Sequence, residues 1–210
     1  MSNITSQITT TAPDLTSFGA GGQMYMASMF TGFEIRRSRT INPLFSFTKN
    51  DLSQPNASIL TNLDEARKIG STMSFRAKRI GFRIVHIDAG VVNLGSVEAA
   101  KEIMSGAAVT LTLGSNETKV AEFSGLDLMQ PVDIVGASTT DTAAVATGLG
   151  GGIGWIPLDI PIDIQANCNV GGTVKFNNTY AINALAPAAD TDPAYYGFIV
   201  VLQGLKIVKS

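Results

Sequence analysis

Apolar and polar residues alternate with a period of two through much of the chain after residue 32, which is the spacing of a β-strand with one buried face. The longest such run covers residues 73–87. Alternate positions from Ile80 to His86 form its apolar face, and Arg79 and Arg83 lie on the opposite face. The pattern therefore predicts a long strand that is buried on one side.

The same pattern predicts further strands at residues 33–40, 44–48, 109–113, 119–123, 172–180 and 195–208. Asn42 and Pro43 are expected to separate the first two of these strands. A Gly-Ser-Asn sequence at 114–116 lies between two of the others, which indicates a β-hairpin.

Residues 155–165, with the sequence WIPLDIPIDIQ, carry a separate signal. Isoleucine and leucine occupy the even positions from Ile156 to Ile164, which predicts one apolar face. Pro157 and Pro161 remove two N–H donors from a single edge of the strand, because alternate residues direct these groups to the same neighbour. The strand is therefore predicted to lie at a sheet border or at a bulge.

Helices are predicted only in the connections between strands. Asn62 and Glu65 form a capping-box-like pair at the start of residues 62–69, and Ser96 is a suitable N-cap for residues 96–104. Both segments are too short to form a helical layer. The predicted fold class is therefore all-β, an antiparallel β-sandwich, with a single eight-stranded jelly roll as the first choice.

The N-terminal residues have a different composition, since eight of the first 23 are Ser or Thr. Residues 1–32 are predicted to form a flexible arm, and residues 33–210 the sandwich domain. Apolar residues become frequent at the end of this arm. Four of them are candidates for contact with a neighbouring subunit, namely Met24, Met26, Met29 and Phe30. The alternative is that this segment packs on its own core.

The chain is 45% hydrophobic but only 15% charged, where about 25% charged is usual. A largely neutral exterior suits subunit contacts, because the cores of protein interfaces are depleted in charge. The charges are also unevenly distributed: residues 30–83 contain ten basic and four acidic residues, and residues 84–210 contain five and twelve. One surface is therefore expected to be basic, as in a shell protein that faces something anionic.

Two clusters supply most of this positive charge, in the sequences EIRRSRT and FRAKRIGFR. The candidates for contact with nucleic acid or lipid headgroups are Arg36, Arg37, Arg39, Arg76, Lys78, Arg79 and Arg83. In a regular strand Arg79 and Arg83 would share one face, with Arg76 and Lys78 on the other. No sequence-specific nucleic-acid motif accompanies them, and salt bridges across subunit contacts are the alternative role.

Catalytic chemistry is poorly represented, since the chain has one histidine, His86, and one cysteine, Cys168. A cupin-type metal site needs several histidines and is excluded by this count. His86 is predicted to be a hydrogen-bonded core or interface residue, and Cys168 a small residue in a loop, although a Cys–His pair stays open. We therefore expect no catalytic residues, no metal, no cofactor and no enzyme activity.

These features together resemble the jelly-roll capsid (coat) proteins of small tailless icosahedral viruses, particularly bacteriophages. The resemblance depends on the Ser/Thr/Gly-rich arm, the low-charge sandwich, and the late strands WIPLDIPIDIQ and YYGFIVVLQGLKIV. It implies a structural virion protein, a major capsid protein that self-assembles into an icosahedral shell around a genome or an internal membrane. The chain differs from coat proteins with strongly basic arms, because no Lys or Arg precedes Arg36.

The expected partners are copies of the chain itself, other virion proteins, and nucleic acid or membrane lipid in non-specific contact. The expected location is the virion, assembled in the host cytoplasm, since the sequence has no recognisable secretory signal or membrane span. The alternative function is a receptor- or glycan-binding spike or fibre module of β-sandwich type. Its support is thin, because Trp155 is the only tryptophan.

Overall fold

The computed structural model describes residues 23–87, 94–127 and 154–208. The strands are β1 (Gln23–Glu34), β2 (Ile41–Leu44), β3 (Met73–His86), β4 (Ala107–Leu113), β5 (Thr118–Ser124), β6 (Gly154–Ile164), β7 (Val170–Phe176) and β8 (Tyr196–Val208). The helices are α1 (Ala57–Leu60), α2 (Leu94–Gly106) and α3 (Thr179–Leu185), and a 3₁₀ turn covers Gly125–Asp127.

The strands form two antiparallel four-stranded sheets. Sheet A has the order β1-β8-β3-β6, and sheet B has the order β2-β7-β4-β5. The first four strands therefore pair with the last four in reverse order: β1 with β8, β2 with β7, β3 with β6, and β4 with β5. This is the connectivity of an eight-stranded jelly roll, so the predicted fold class is confirmed.

The principal core lies between the two sheets and is centred on Phe198. Its ring lies 5.7 Å from that of Phe33, 5.8 Å from that of Phe82 and 5.2 Å from that of Phe176, measured between centroids. Because these rings come from both sheets, the cluster joins the layers of the sandwich. Helices α2 and α3 pack on each other and contribute buried side chains such as Ile103 to the same core.

A second apolar cluster lies on the outer face of sheet A. The connection between β2 and β3 crosses this face and places Phe47, Ala57 and Leu60 over Ile199 and Val201 of β8. Strand β8 is thus covered on both faces along its first half. This explains why its sequence is apolar at successive positions rather than alternating.

A bulge at Lys78 changes which side chains of β3 face outward. Ala77 pairs with Gly204 and Arg79 with Gln203, so Lys78 is an extra residue relative to β8. Before the bulge the odd positions are buried, and after it the even positions such as Ile80 are buried. The prediction that Arg76 and Arg79 occupy opposite faces is therefore wrong, because a bulge reverses the alternation.

Strand β6 forms one border of sheet A and is bulged, as predicted from its prolines. The prediction that its even positions share one apolar face is confirmed for Ile156, Leu158, Ile162 and Ile164, which pack against the principal core, but is wrong for Ile160. The register passes from Ala77–Ile162 directly to Arg79–Pro157, so residues 158–161 of β6 form a bulge. In consequence Ile160 is 84% exposed while Ile164 is buried.

The predicted boundary of the N-terminal arm is also corrected. Residues 1–22 lie outside the described residues, but residues 23–32 belong to β1 and pair with β8 without a register shift. They are therefore part of the sandwich and not of an arm. Strand β1 ends at Glu34, and Pro43, expected to break the chain between two strands, lies within β2 at the border of sheet B.

Two predictions of local structure fail because tertiary contacts override them. Residues 62–69 are not helical: the backbone N–H of Arg67 donates to the carbonyl of Phe45, and the backbone of Lys68 bridges to Asn169. The strand predicted for residues 172–180 ends at Phe176. It is followed by α3, whose N-cap Asn178 accepts a hydrogen bond from the backbone N–H of Ala181 at 3.1 Å.

Candidate functional site

Part of the outer face of sheet A is not covered by the β2–β3 connection. The register aligns Met26, Leu205, Arg76 and Asp163 in one row across all four strands. The next row towards the end of the sheet begins with Met24 and Ile207 of β1 and β8. We call the apolar side chains of these two rows, Met24, Met26, Leu205 and Ile207, the open strip.

The open strip exposes much of its apolar surface. Met24 is 49% and Met26 58% exposed, and Leu205 and Ile207 are half-buried. Tyr25 lies between the two methionines on the other face of β1 and is 45% exposed. A contiguous apolar patch on a sheet face is typical of a surface that binds another protein or a membrane.

The edge of β1 beside the open strip is half closed. The side-chain amide of Asn62 stands where a neighbouring strand would stand: its Oδ1 accepts the N–H of Phe30 at 2.9 Å, and its Nδ2 donates to the carbonyl of Ser28 at 2.8 Å. Thr61 also donates its hydroxyl to the carbonyl of Phe30. The side chains of Asn62 and Thr61 therefore occupy the edge of β1 at Ser28 and Phe30. They do not reach the residues of β1 that precede Ser28.

The other three sheet borders carry features that hinder strand pairing. Strand β6 has Pro157 and Pro161 and a large bulge. Strand β2 is four residues long and contains Pro43. Strand β5 has a register shift and an ion pair between Lys119 and Glu122. By contrast, β1 has no charged residue and no proline from Gln23 to Phe33.

Of the basic residues of β3, Arg76 lies in the row of Leu205 and Arg79 pairs with Gln203, close to the open strip, whereas Arg83 lies further along, opposite Ile199. Arg76 forms a bidentate ion pair with Asp163, in which Nε–Oδ1 and NH2–Oδ2 are both 2.6 Å. The hydrogen bond to this carboxylate raises the pKa of the guanidinium. Arg79 donates to the side chain of Gln203 and lies 4.5 Å from the ring centroid of Trp155.

Lys78 and Arg83 are exposed, and no acceptor for either side chain is recorded within the described parts of the chain. They are therefore the cations of β3 that are most available to an external anion. Arg76 and Arg79 already have partners in this structure, so their part in anion binding stays a prediction.

The arginines of the EIRRSRT sequence lie apart from this face, in the β1–β2 connection. Arg36 is paired with Glu34 and donates to the carbonyl of Asp190 at 2.9 Å, and Arg37 donates to that of Asn183 at 3.3 Å. Arg39 is exposed. The two predicted basic clusters thus lie on different parts of the sandwich and do not form one continuous patch.

The four candidates for subunit contact have different surroundings. Met24 and Met26 are exposed, whereas Met29 is 6% exposed and belongs to the principal core. Phe30 is half-buried against the second cluster. The alternation along β1 places Met29 on the inner face of the sheet, which removes it from a contact surface.

His86 and Cys168 are far apart. His86 is an exposed residue at the end of β3, with its ring against that of Tyr196. Cys168 lies near the other end of β3, since its backbone carbonyl accepts the N–H of Ile69, four residues before that strand begins. These ends are roughly 40 Å apart at about 3.3 Å per residue, so the Cys–His pair is wrong, and His86 is not a core residue.

The described residues contain no group of three or more His, Cys, Asp and Glu side chains that could hold a metal ion. The acidic residues of the 189–192 turn have local roles instead. The carboxylate of Asp192 accepts the N–H of Ala189 at 3.2 Å and so caps the turn. The Ser38 hydroxyl donates to Asp190 and lowers the pKa of that carboxyl.

Sequence reasoning missed Leu205, Ile207 and Asn62 as parts of this surface. A signal for the first two was present: the second half of β8 remains apolar at the positions that face outward, where a solvated sheet would be polar. The sequence around Asn62 is typical of a helix N-cap. Only the position of β1 shows that its side-chain amide instead binds the backbone at the edge of a strand.

Within the described residues, no helix has the length and apolarity needed to cross a membrane. Comparison of the sequence with protein-family models and with curated proteins gave no match. The features that bear on function are therefore the fold and the chemistry of the sheet A surface.

Proposed function

We propose that this chain is a structural virion protein, a major capsid protein that self-assembles into a shell. The observation that carries the proposal is the open strip, an exposed apolar surface on the edge strand of a jelly roll. A jelly roll alone does not decide function, because lectins and cupin enzymes also use it. The function therefore depends on what the exposed surface can bind.

The open strip offers contact with another protein rather than catalysis. Its side chains are thioethers and aliphatic groups, which provide adaptable packing but no nucleophile or general base. The low overall charge also favours contact between protein surfaces, since 15% of residues are charged and the cores of protein interfaces are depleted in charge. Association between copies would bury this surface.

The cations of β3 support contact of the same shell with an anion. Lys78 and Arg83 lie on the outer face of sheet A, Lys78 at the bulge near the ion-paired Arg76 and Arg83 further along β3, opposite Ile199. Contacts of this kind with nucleic-acid phosphates or lipid headgroups would be non-specific and would weaken with salt. We therefore include non-specific contact with nucleic acid or lipid, and association with other virion proteins, in the proposed function.

Electron microscopy combined with light scattering of the purified full chain tests the proposal. We expect closed particles or defined capsomers whose mass is a multiple of that of the chain. The Leu126→Lys variant should assemble like the wild type, because Leu126 is 80% exposed and lies on the 3₁₀ turn outside sheet A. A wild-type protein that stays monomeric at high concentration would contradict the proposed function.

A further inference from the structure

We infer that two copies of this chain associate through the edge of β1, in antiparallel pairing about a two-fold axis at Tyr25, to form one continuous sheet from two copies of sheet A. The inference deepens the proposed self-association and depends on it. The partner is a second copy of the same chain.

The backbone of β1 before Ser28 presents unpaired groups at the edge of the sheet. The N–H and C=O of Phe30 and the C=O of Ser28 point away from β8, since Asn62 and Thr61 bind them. The β1–β8 register has no shift, so alternation directs the N–H and C=O of Met24 and Met26 to this same edge. No partner for these groups is recorded among residues 23–87, 94–127 and 154–208.

Such an edge selects an extended peptide backbone as its partner. The other borders of the sandwich are poor partners, because β6 and β2 contain prolines and β5 carries a charged pair and a bulge. The β1 edge of another copy has none of these obstacles. A two-fold axis at Tyr25 brings this residue near its own symmetry mate, and β1 itself carries no charge that would cause repulsion there; the neighbouring cation Lys206 of β8 has its Nζ 5.9 Å from the Tyr25 ring centroid.

Asn62 limits the possible registers. Because its amide occupies the edge at Ser28, pairing is limited to residues before Ser28. The available arrangement places Met24 opposite Met26 of the partner subunit, where each such pair exchanges two hydrogen bonds. Tyr25 then faces Tyr25 of the partner subunit as a non-hydrogen-bonded pair, with Cα atoms about 4.5 Å apart. The open strips of the two copies become continuous.

Disulfide formation tests this geometry in the full chain with Cys168→Ser, which removes the native thiol. Tyr25→Cys in this background is expected to give a covalent dimer under mild oxidation, since about 4.5 Å lies within the range that a disulfide spans. Met26→Cys is the matched control, because two residues of offset place its symmetry mate beyond about 7 Å. Its cross-linking should be at least tenfold slower (about 1.4 kcal/mol). Equal rates, or faster cross-linking of Met26→Cys, would overturn the inference.

Removal of one backbone donor provides a second test. Met26→Pro deletes an N–H that points away from β8, and edge strands tolerate proline. In the Tyr25→Cys background it should reduce cross-linking about tenfold or more, whereas Met26→Thr, which keeps the N–H, should leave cross-linking nearly unchanged. An unchanged rate in a folded proline variant would contradict the pairing.

Hydrogen exchange distinguishes a second copy from a segment of the same chain on this edge. With a second copy, the amides of Met24 and Met26 exchange about tenfold or more slowly at high than at low protein concentration. Protection independent of concentration would mean an intramolecular occupant and would overturn the inference. Particles that form without a Tyr25→Cys cross-link would refute this pairing alone, and cross-linked dimers without particles would refute the shell alone.

Discussion

The carbonyl oxygen of Arg76 lies only 1.8 Å from the position that a Cβ atom on Gly204 would occupy. Gly204 is opposite Ala77, directly before the bulge at Lys78. Only a residue without a side chain allows the backbones of β3 and β8 to approach so closely. This contact therefore permits the bulge, and the bulge is what brings Arg76, Arg79 and Arg83 to one face.

Replacement of this glycine should destabilise the fold. We expect Gly204→Ala to lower the free energy of unfolding by about 3 kcal/mol, because the added methyl group meets rigid backbone. Denaturant unfolding followed by circular dichroism measures the effect. Gly106→Ala is the control, since nothing lies within 4 Å of its Cβ position, and it should change stability little. Equal stability of the two variants would contradict the role of Gly204.

Loss of the Asn62 amide should weaken the fold slightly and lengthen the free edge of β1. Asn62→Ala removes hydrogen bonds to Ser28 and Phe30, worth about 1 kcal/mol net each. We expect a lower free energy of unfolding together with stronger self-association, measured by denaturation and light scattering. Asn50→Ala, at an exposed position, is the control. A variant that is destabilised but associates less would show that the edge is not a contact.

The pH dependence of stability should report the contact between Ser38 and Asp190. The Ser38 hydroxyl hydrogen-bonds the carboxylate and lowers its pKa from the ordinary 3.8. A pKa lowered by folding contributes stability above the unfolded value, and this contribution is lost as the pH falls through the folded pKa. The stability difference between wild type and Asp190→Asn should therefore shrink in acid.

Unfolding measured from neutral pH to below 3.8 tests this sign. Asp159→Asn, which removes a charge from an exposed position on β6, is the charge-matched control and should show no comparable change. A difference for Asp190→Asn that grows as the pH falls would contradict the assignment.

Arg83 should contribute to binding of polyanions. We expect Arg83→Ala to weaken binding of a single-stranded oligonucleotide and to reduce the dependence of its affinity on salt by about one phosphate contact. Fluorescence anisotropy over a salt series measures both effects. Lys175→Ala, at an exposed position on sheet B, is the control. An unchanged salt dependence would show that Arg83 does not contact the bound anion.

The sequence predicted the strands whose signals are local. The β4–β5 hairpin, β3 and β8 follow from alternation and turn chemistry, and the prolines of β6 placed it at a sheet border. The jelly-roll order adds long-range pairing that no local pattern contains. It became a reasonable prediction only from the number of strands and the shortness of the helices.

The errors come from interactions between distant residues. A bulge that depends on Gly204 reversed the faces of β3, and the amide of Asn62 capped an edge strand instead of a helix. Alternation could place Arg79 and Arg83 together but could not bring Arg76 to the same side. The open strip joins Met26 to Leu205, nearly the whole chain apart in sequence, so only the β1–β8 register shows it.

Sedimentation velocity of the full chain over a range of concentrations tests the central claim most directly, namely that the apolar edge of sheet A binds a second copy. We predict that the wild type associates with rising concentration and that Met24→Lys/Met26→Lys remains a folded monomer, since charge at a strand edge opposes pairing. Ile160→Lys, which adds a lysine at an 84% exposed position on the opposite border, should associate like the wild type. A Met24→Lys/Met26→Lys variant that associates as strongly as the wild type would contradict the account.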